Sequence, residues 1–191
     1  MCTSADFAAL QARVKRADDS NSNSTNAHTS AEHTLTKLCT HTRAAEMINA
    51  DNLRVLPGQD HVFMADDRGS ALHCKKLDKA CNFAAKLRLR VGAPVLLLKT
   101  LSMAEGLCNG SHGVVIRFTR TLGLPVVRFT SLKTNAGASH IDHIVSRDVF
   151  RLTFNDVEVA SRSQLPLALG WAVSIHRSQG VSLDKAEIDL G

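Results

Sequence analysis

The sequence has no C-x-x-C pair, and its five cysteines are scattered and odd in number. This pattern argues against a disulfide framework or a zinc ribbon, and it favours a reducing compartment. No apolar run is long enough to span a membrane, and no signal-peptide pattern follows Met1. We therefore expect an intracellular protein that has no membrane partner and no metal site of its own.

Acidic residues are scarce in the middle of the chain. The whole chain of 191 residues carries a formal charge of only +5. Residues 82–133, however, hold eight basic residues and one acidic residue, Glu105, so the local balance is 8 − 1 = +7. The eight are Lys86, Arg88, Arg90, Lys99, Arg117, Arg120, Arg128 and Lys133. An excess of this kind favours a polyanionic partner over a merely solvated surface.

The first third of the chain alternates helical and polar segments. Residues 6–16 place apolar side chains at helical spacing, and residues 18–33 are rich in Ser, Asn and Thr, which predicts a flexible loop. Residues 35–39 predict a short strand, and residues 43–53 predict a helix. Residues 66–82 are polar and ambiguous, with a short helix and a connecting loop as one interpretation.

Short apolar runs with glycine-rich turns follow, and they predict strands. The runs are residues 95–99, 113–118 and 125–129, and residues 143–154 can add one or two more strands. Asn109-Gly110 and Gly113 are interpreted as turn residues that let strands reverse. Several short strands with a basic surface predict a small β-barrel.

The end of the chain is predicted to be helical and then extended. A helix is expected to start near Pro166 and to stop at Gly180, and residues 186–191 predict another strand. Strand–helix units at both ends with a β insertion between them predict an α/β domain interrupted by a barrel.

Three stretches resemble a known family. Residues 164–191, QLPLALGWAVSIHRSQGVSLDKAEIDLG, closely resemble motif V of the petite-integration-frequency (Pif) family of superfamily-one DNA helicases. Residues 87–118 resemble that family's barrel stretch, and residues 36–63 resemble the segment leading into it. The departures from the family pattern are Gly170 for alanine, Arg177 for lysine, Ser182 for threonine and Thr100 for asparagine. The resemblance covers about four fifths of the chain.

The resemblance implies a second RecA-like helicase core domain interrupted by an inserted small β-barrel. The implied boundaries are residues 1–61 for the first part of the RecA-like domain, 62–160 for the barrel and 161–191 for the return to it. There is no G-x-x-x-x-G-K-[ST] phosphate loop and no acidic magnesium-binding box. ATP and Mg²⁺ are thus expected to be held chiefly by a missing N-terminal domain, and this segment alone is expected to have no catalytic residue and no ATP hydrolysis.

The implied site residues fall into two groups. Gln179 and Gly180 are expected to face the nucleotide and to couple it to DNA. The residues expected to contact DNA are Thr40, Thr42, Arg88, Arg90, Arg117, Arg128, Ser174 and His176. For Thr40 and Thr42, ordinary helix capping is an equally good interpretation, because threonine caps helices as well as binding phosphate.

The leading hypothesis is part of an ATP-dependent 5′-to-3′ DNA helicase, acting in replication, repair, recombination or telomere maintenance on single-stranded and forked DNA. A monomer is expected, in the nucleus or mitochondrion if the source is eukaryotic. Two alternatives stay open. The chain can be a non-enzymatic module that binds single-stranded nucleic acid, with the basic barrel as its working part, or a fragment without a function of its own.

Overall fold

The structure is a computed structural model, and it describes residues 36–131, 139–175, 177–178 and 186–188. The helix expected at residues 6–16 and the loop expected at residues 18–33 lie outside these ranges. Within the described residues, neither helix has the length and apolar character needed to cross a membrane.

The described elements are, in chain order, β1 (Thr36–Cys39), α1 (Thr42–Val55), β2 (His61–Met64), β3 (Asp66–Gly69), α2 (Ala71–Ala80), β4 (Lys86–Leu89), β5 (Pro94–Leu97), β6 (His112–Phe118), β7 (Pro125–Ser131), β8 (Ser139–Ile144), β9 (Asp148–Phe154), β10 (Val157–Gln164), β11 (Leu167–Leu169), β12 (Ala172–Ser174) and β13 (Ala186–Ile188).

A parallel region is formed by β1, β12, β13 and α1. Strand β1 lies between β12 and β13 and is parallel to both. Helix α1 packs on this sheet through Ala45 and Ile48, which meet Cys39 and Ala172 in a small apolar cluster. The Asn49 side chain fixes the register, because its amide donates to the Ala172 carbonyl at 2.7 Å and its oxygen accepts from the Ala172 N–H at 3.0 Å.

The remaining elements form an antiparallel region, residues 61–169. Its largest sheet has the order β11-β5-β6-β7-β8, and the apolar cluster beneath it includes Val95, Leu97, Val115, Val127 and Phe129. A second sheet has the order β3-β10-β9, and β2 pairs with β4 as a two-stranded antiparallel ladder, with β3 and α2 between them in sequence. These pairings confirm the strands expected at residues 95–99, 113–118, 125–129 and 143–154. The residues 66–82, ambiguous in sequence, form β3 and α2.

Gly113 lies inside β6 rather than in a turn. A Cβ there would stand 2.5 Å from Val127 Cγ1 and 2.8 Å from Phe129 Cδ1, so only glycine lets β7 approach this closely. The turn interpretation is wrong for Gly113. It is correct for Asn109-Gly110, which forms a turn with Gly110 at φ 94°.

The expected barrel is not confirmed. Among the described residues the four sheets are separate ladders, and none of them closes on itself. The strands of the antiparallel region are short and are divided among three sheets, whereas a barrel needs one continuous ladder that closes.

The helix expected after Pro166 is wrong. Residues 167–169 form β11 and residues 172–174 form β12. Gly170 joins them where its N–H donates to the Pro94 carbonyl at 2.9 Å. A short buried apolar run has no periodicity that separates strand from helix, and here the available ladder partners on β5 and β1 decide for strand.

Candidate nucleic-acid interface

The carboxyl ends of β1 and β12 meet beside the start of α1. The register pairs Cys39 with Ser174, and the Ile175 N–H donates to the Cys39 carbonyl at 3.0 Å. In α/β sheets, ligands bind where the carboxyl ends of parallel strands converge. This edge is therefore the natural position for a ligand in the parallel region.

Two of the expected DNA contacts are brought together at this edge. Thr42 Oγ1 donates to Ser174 Oγ at 3.2 Å, although 132 positions separate the two residues in the chain. Ser174 is 1% exposed, whereas Thr42 is half-buried and Thr40 is exposed. The buried Ser174 thus orients the Thr42 hydroxyl through this hydrogen bond. Thr40 and Thr42 form the solvent-facing surface of this edge.

The start of α1 has no side-chain cap, and the N–H groups of Ala44 and Ala45 both donate to the His41 carbonyl, at 3.1 and 3.3 Å. The N-cap residue is His41, and its side chain accepts no capping hydrogen bond. The capping role considered for Thr40 and Thr42 is therefore wrong, because Thr42 already lies within the helix and its hydroxyl is directed to Ser174. The first N–H groups of a helix have no partner within it, and no acidic residue lies in the first turn of α1. This helix start is electrostatically suited to an anion.

The segment after β12 forms a turn. The N–H groups of Arg177 and Ser178 both donate to the Ser174 carbonyl at 3.0 Å, and Arg177 lies 3.7 Å from the Glu46 carboxylate on α1. The expected site residues His176, Gln179 and Gly180 lie outside the described residues. Next to them, the structure describes the turn that closes on the Ser174 carbonyl and the ion pair between Arg177 and Glu46 of α1.

Arg88 and Arg90 do not form an open basic patch. Both donate to the Asp60 carboxylate, and Arg90 also donates to the carbonyls of Leu56 and Arg54 at the end of α1. The Arg88 hydrogen bond, followed by the Arg90 bond, holds the pKa of Asp60 below its usual range, against a smaller effect of burial. The Arg90 side chain is 17% exposed, so it mainly closes the C-terminus of α1 against β4.

The other basic residues also differ in whether a nearby carboxylate pairs with them. Arg128 forms a bidentate pair with Asp142, at 2.7 and 2.9 Å, which lowers the pKa of Asp142. Lys99 lies 2.7 Å from the Asp148 carboxylate. Within the described ranges, Arg117 is exposed and makes no ion pair, although its charge also favours the ionised form of Asp142. The local charge of +7 is thus reduced in the fold by acidic residues that lie outside the 82–133 window.

Sequence reasoning missed the buried Arg162 on β10. Its guanidinium donates twice to Asp67, at 2.7 Å each, once to Asp78 at 2.8 Å and once to the Phe83 carbonyl at 3.1 Å. The Asp67 hydrogen bonds raise the pKa of Arg162, and burial opposes them. The residue joins β10, β3 and α2. No signal in the local sequence distinguishes it from a surface arginine.

Gln164 is a second buried hub, and it opens the stretch that resembles motif V. It is 0% exposed, and its amide nitrogen donates to the carbonyls of Phe63 and Ala84, at 3.0 Å each. Its oxygen accepts from the Leu165 N–H at 2.9 Å. This glutamine therefore ties β10 to the β2–β4 pair, which is a packing role.

Comparison with known proteins agrees with this architecture. The family model "DNA helicase Pif1, 2B domain" matches residues 75–118. The ATP-dependent DNA helicase PIF1 of Mus musculus is 41% identical over 157 residues, which are 82% of this chain and 23% of the relative. This chain thus spans about a quarter of the length of that relative.

Solved structures point the same way. The Pif1 helicase of Candida albicans superimposes with a TM-score of 0.68 at 25% identity, covering 87% of this chain and 41% of that one. A Bacteroides Pif1 helicase in complex with ADP-AlF3 and ssDNA superimposes with a TM-score of 0.54 at 25% identity, covering 88% and 37%. By sequence and by fold, the relatives of this α/β chain are DNA helicases. These relatives are Pif1 helicases, and the resemblance to the Pif family inferred from the three motif stretches is confirmed.

Proposed function

We propose that this chain is the part of an ATP-dependent 5′-to-3′ DNA helicase that closes over the nucleotide and grips single-stranded DNA. The observation that carries the proposal is the Thr42–Ser174 hydrogen bond, which joins the carboxyl ends of β1 and β12 beside the uncapped start of α1. The relatives bearing the same architecture are helicases, and one of them is bound to ADP-AlF3 and ssDNA.

The proposed division of labour follows the two regions. In the parallel region, Thr40 and Thr42 and the first N–H groups of α1 contact DNA phosphates, with Ser174 and His176 beside them. Gln179 and Gly180 contact the nucleotide. Mg²⁺ and the β- and γ-phosphates of ATP are held by a domain that this sequence does not contain, because the chain has no phosphate loop.

The proposed domain boundaries keep residues 1–61 and 161–191 as a second RecA-like domain and residues 62–160 as its insertion. The parallel pairing of β1 with β12 supports this division, because the two strands lie on opposite sides of the insertion in sequence. The insertion is the antiparallel region for which the resemblance implies a small β-barrel, although none of its described sheets closes on itself. Forked DNA as a substrate, a monomeric state and a nuclear or mitochondrial location belong to the same proposal, as do roles in repair and at telomeres.

A segment exchange tests the helicase assignment. Residues 36–191 replace the matching segment of the murine PIF1 relative, and DNA-stimulated ATP hydrolysis and duplex unwinding are measured. Retained activity is expected, because the segment supplies the strand ends and a motif V stretch that departs from the family pattern only at Gly170, Arg177 and Ser182. In the exchanged protein, Gln179→Ala is expected to lower stimulated ATP hydrolysis with DNA affinity nearly intact, and His176→Ala to weaken the stimulation by DNA more than basal turnover.

The isolated chain separates the helicase from the binding module. It is expected not to hydrolyse ATP, so turnover stimulated by single-stranded DNA in a pure preparation would refute its assignment as the second motor domain. An inactive exchanged protein that still folds and binds DNA would favour the non-enzymatic binding module. Equal losses of melting temperature, DNA affinity and turnover in the two variants would show that Gln179 and His176 have only a structural role.

A further inference from the structure

The sheet β3-β10-β9 has one covered face and one open face. On the covered face, Arg162 bonds to Asp67 and to Asp78 of α2. The opposite face is a concave groove lined by side chains of all three strands, with Ser161 and Ser163 along its centre. Ser161 is only 7% exposed, and its hydroxyl has no hydrogen-bond partner among the described residues.

The register places two arginines on either side of that serine. Ser161 is paired with Arg68 on β3 and with Arg151 on β9, so the three residues form one row across the sheet. Neighbouring strands lie about 4.8 Å apart, so the two outer Cα atoms of the row are separated by about 10 Å. Two guanidinium groups of this reach can converge on one small ligand above the serine.

Both arginines are only loosely held. Arg68 lies 3.4 Å from Asp66, with the side chains 81% and 59% exposed, and Arg151 lies 3.2 Å from Glu158, with 62% and 45% exposed. Exposed ion pairs of this kind contribute little, because solvent screens them. The groove therefore has no net charge at rest, but its cations are available to a stronger anion.

We propose that this groove binds a phosphate group, with Arg68 and Arg151 as forked donors and Ser161 as a hydroxyl donor beneath it. A tetrahedral phosphate accepts parallel N–H donors from a guanidinium, and such charge-assisted pairs are about twice as strong as neutral ones. The phosphate is either a phosphodiester of a nucleic-acid strand or a free phosphate. The nucleic-acid source rests on the proposed function, whereas the anion site itself does not.

The test measures binding of two probes to the full 191-residue chain. One probe is a labelled thymidine oligonucleotide of about 16 nucleotides, followed by fluorescence anisotropy over a series of salt concentrations. The other is inorganic phosphate, followed by calorimetry. The variants are Arg68→Gln with Arg151→Gln, and Arg68→Lys with Arg151→Lys. The matched control is Arg54→Gln, an exposed arginine on α1 that lies 3.2 Å from Asp51 and outside the groove.

The glutamine pair is expected to bind the oligonucleotide about tenfold or more weakly, because two charged donors are lost. Its log–log salt slope is expected to fall by about 0.7 for each phosphate contact. Arg54→Gln is expected to match the wild type. The lysine pair is expected to keep the salt slope but to lose affinity, because lysine keeps the charge and lacks the fork.

The outcomes separate the two claims. If the glutamine pair loses phosphate binding but keeps oligonucleotide binding, the anion site stands and its ligand is a free phosphate. If neither probe distinguishes the glutamine pair from Arg54→Gln, the groove is not an anion site. A lysine pair equal to the wild type for both probes would also overturn the forked geometry. If the wild type binds no oligonucleotide, the DNA part of the proposed function fails, and the phosphate titration alone decides the groove.

Discussion

The two larger antiparallel sheets are stabilised by different interactions. The five-stranded sheet β11-β5-β6-β7-β8 rests on fully buried Val115, Val127 and Phe129. The sheet β3-β10-β9 is instead fastened to α2 by the buried guanidinium of Arg162. The first sheet is held by a non-directional effect that needs only apolar area. The second depends on a few directional bonds that fail together if one partner is removed.

The comparison explains where charged surface is free to bind a ligand. Where apolar packing supplies the stability, exposed cations such as Arg117 have no structural task. Where directional hydrogen bonds supply the stability, the buried cations are already engaged in bonds within the fold, as Arg162 and Arg90 are. Only the outward residues of the same strands remain available, and on β3-β10-β9 these are Arg68 and Arg151.

The largest expected effect comes from removing the guanidinium of Arg162. Arg162→Met leaves Asp67 and Asp78 without their partner, and it is expected to lower the free energy of unfolding by about 3 kcal/mol. Urea denaturation measures the change, with Arg54→Met as the exposed control. A loss no larger than that of the control would mean that apolar packing stabilises both sheets alike.

A methyl group in the apolar sheet is expected to have the next largest effect. In Gly113→Ala the added Cβ would meet Val127 and Phe129 below 3.0 Å, so β6 and β7 must separate, at a cost of about 1–3 kcal/mol. Gly170→Ala is the matched control, because its Cβ would stand 3.2 Å from the Pro94 backbone and not below 3.0 Å from any atom. Melting temperatures should fall clearly for the first variant and slightly for the second. The reverse order would contradict this account of the packing.

A smaller effect should separate Arg90 from Arg117. Arg90→Gln removes bonds to Asp60 and to the end of α1, so it should lower stability by about 1 kcal/mol. Arg117→Gln should leave stability unchanged and weaken binding of single-stranded DNA, with a flatter salt slope. Denaturation and anisotropy on both variants check this. If Arg90→Gln instead lowers affinity at unchanged stability, Arg90 contacts DNA as the sequence suggested.

The smallest effect expected is a pH dependence from Asp60. Its pKa is lowered in the folded state by Arg88 and Arg90, so its stabilising contribution is fully present above the unfolded pKa of about 3.9. It is lost as the pH falls through the folded value. The stability difference between wild type and Asp60→Asn should therefore be constant near neutral pH and should shrink below about pH 4. A difference that persists unchanged at acid pH would assign the stability to packing instead.

Much of the fold could be predicted because its signals are local. The strands β5, β6 and β7 are apolar runs bounded by glycine turns, and α1 has helical spacing between a strand and Pro57-Gly58. The roles of the candidate site residues stay a prediction. Thr42 and Ser174 do meet, but the sequence indicated this only through the family resemblance, since 132 positions lie between them.

The sequence was least informative where the structure depends on residues that are distant in the chain. A helix was expected from Pro166 to Gly180, yet ladder partners on β5 and β1 make residues 167–169 and 172–174 strands. The charge count over residues 82–133 gave a local balance of +7, yet Asp60, Asp142 and Asp148 from outside that window pair with four of its cations, whose contacts with DNA stay a prediction. A window along the chain cannot include charges that reach the same surface through the fold.

The sequence by itself determined the resemblance to the Pif family, the run of short strands and the absence of a phosphate loop, because each depends on contiguous residues. Only the tertiary structure decided which arginines are structural and which are free. It also decided that β1 and β12 would lie side by side and that Arg68, Ser161 and Arg151 would form one row. The physical reason is that pairing, burial and electrostatic neutralisation depend on distances in space, which strand register and packing set.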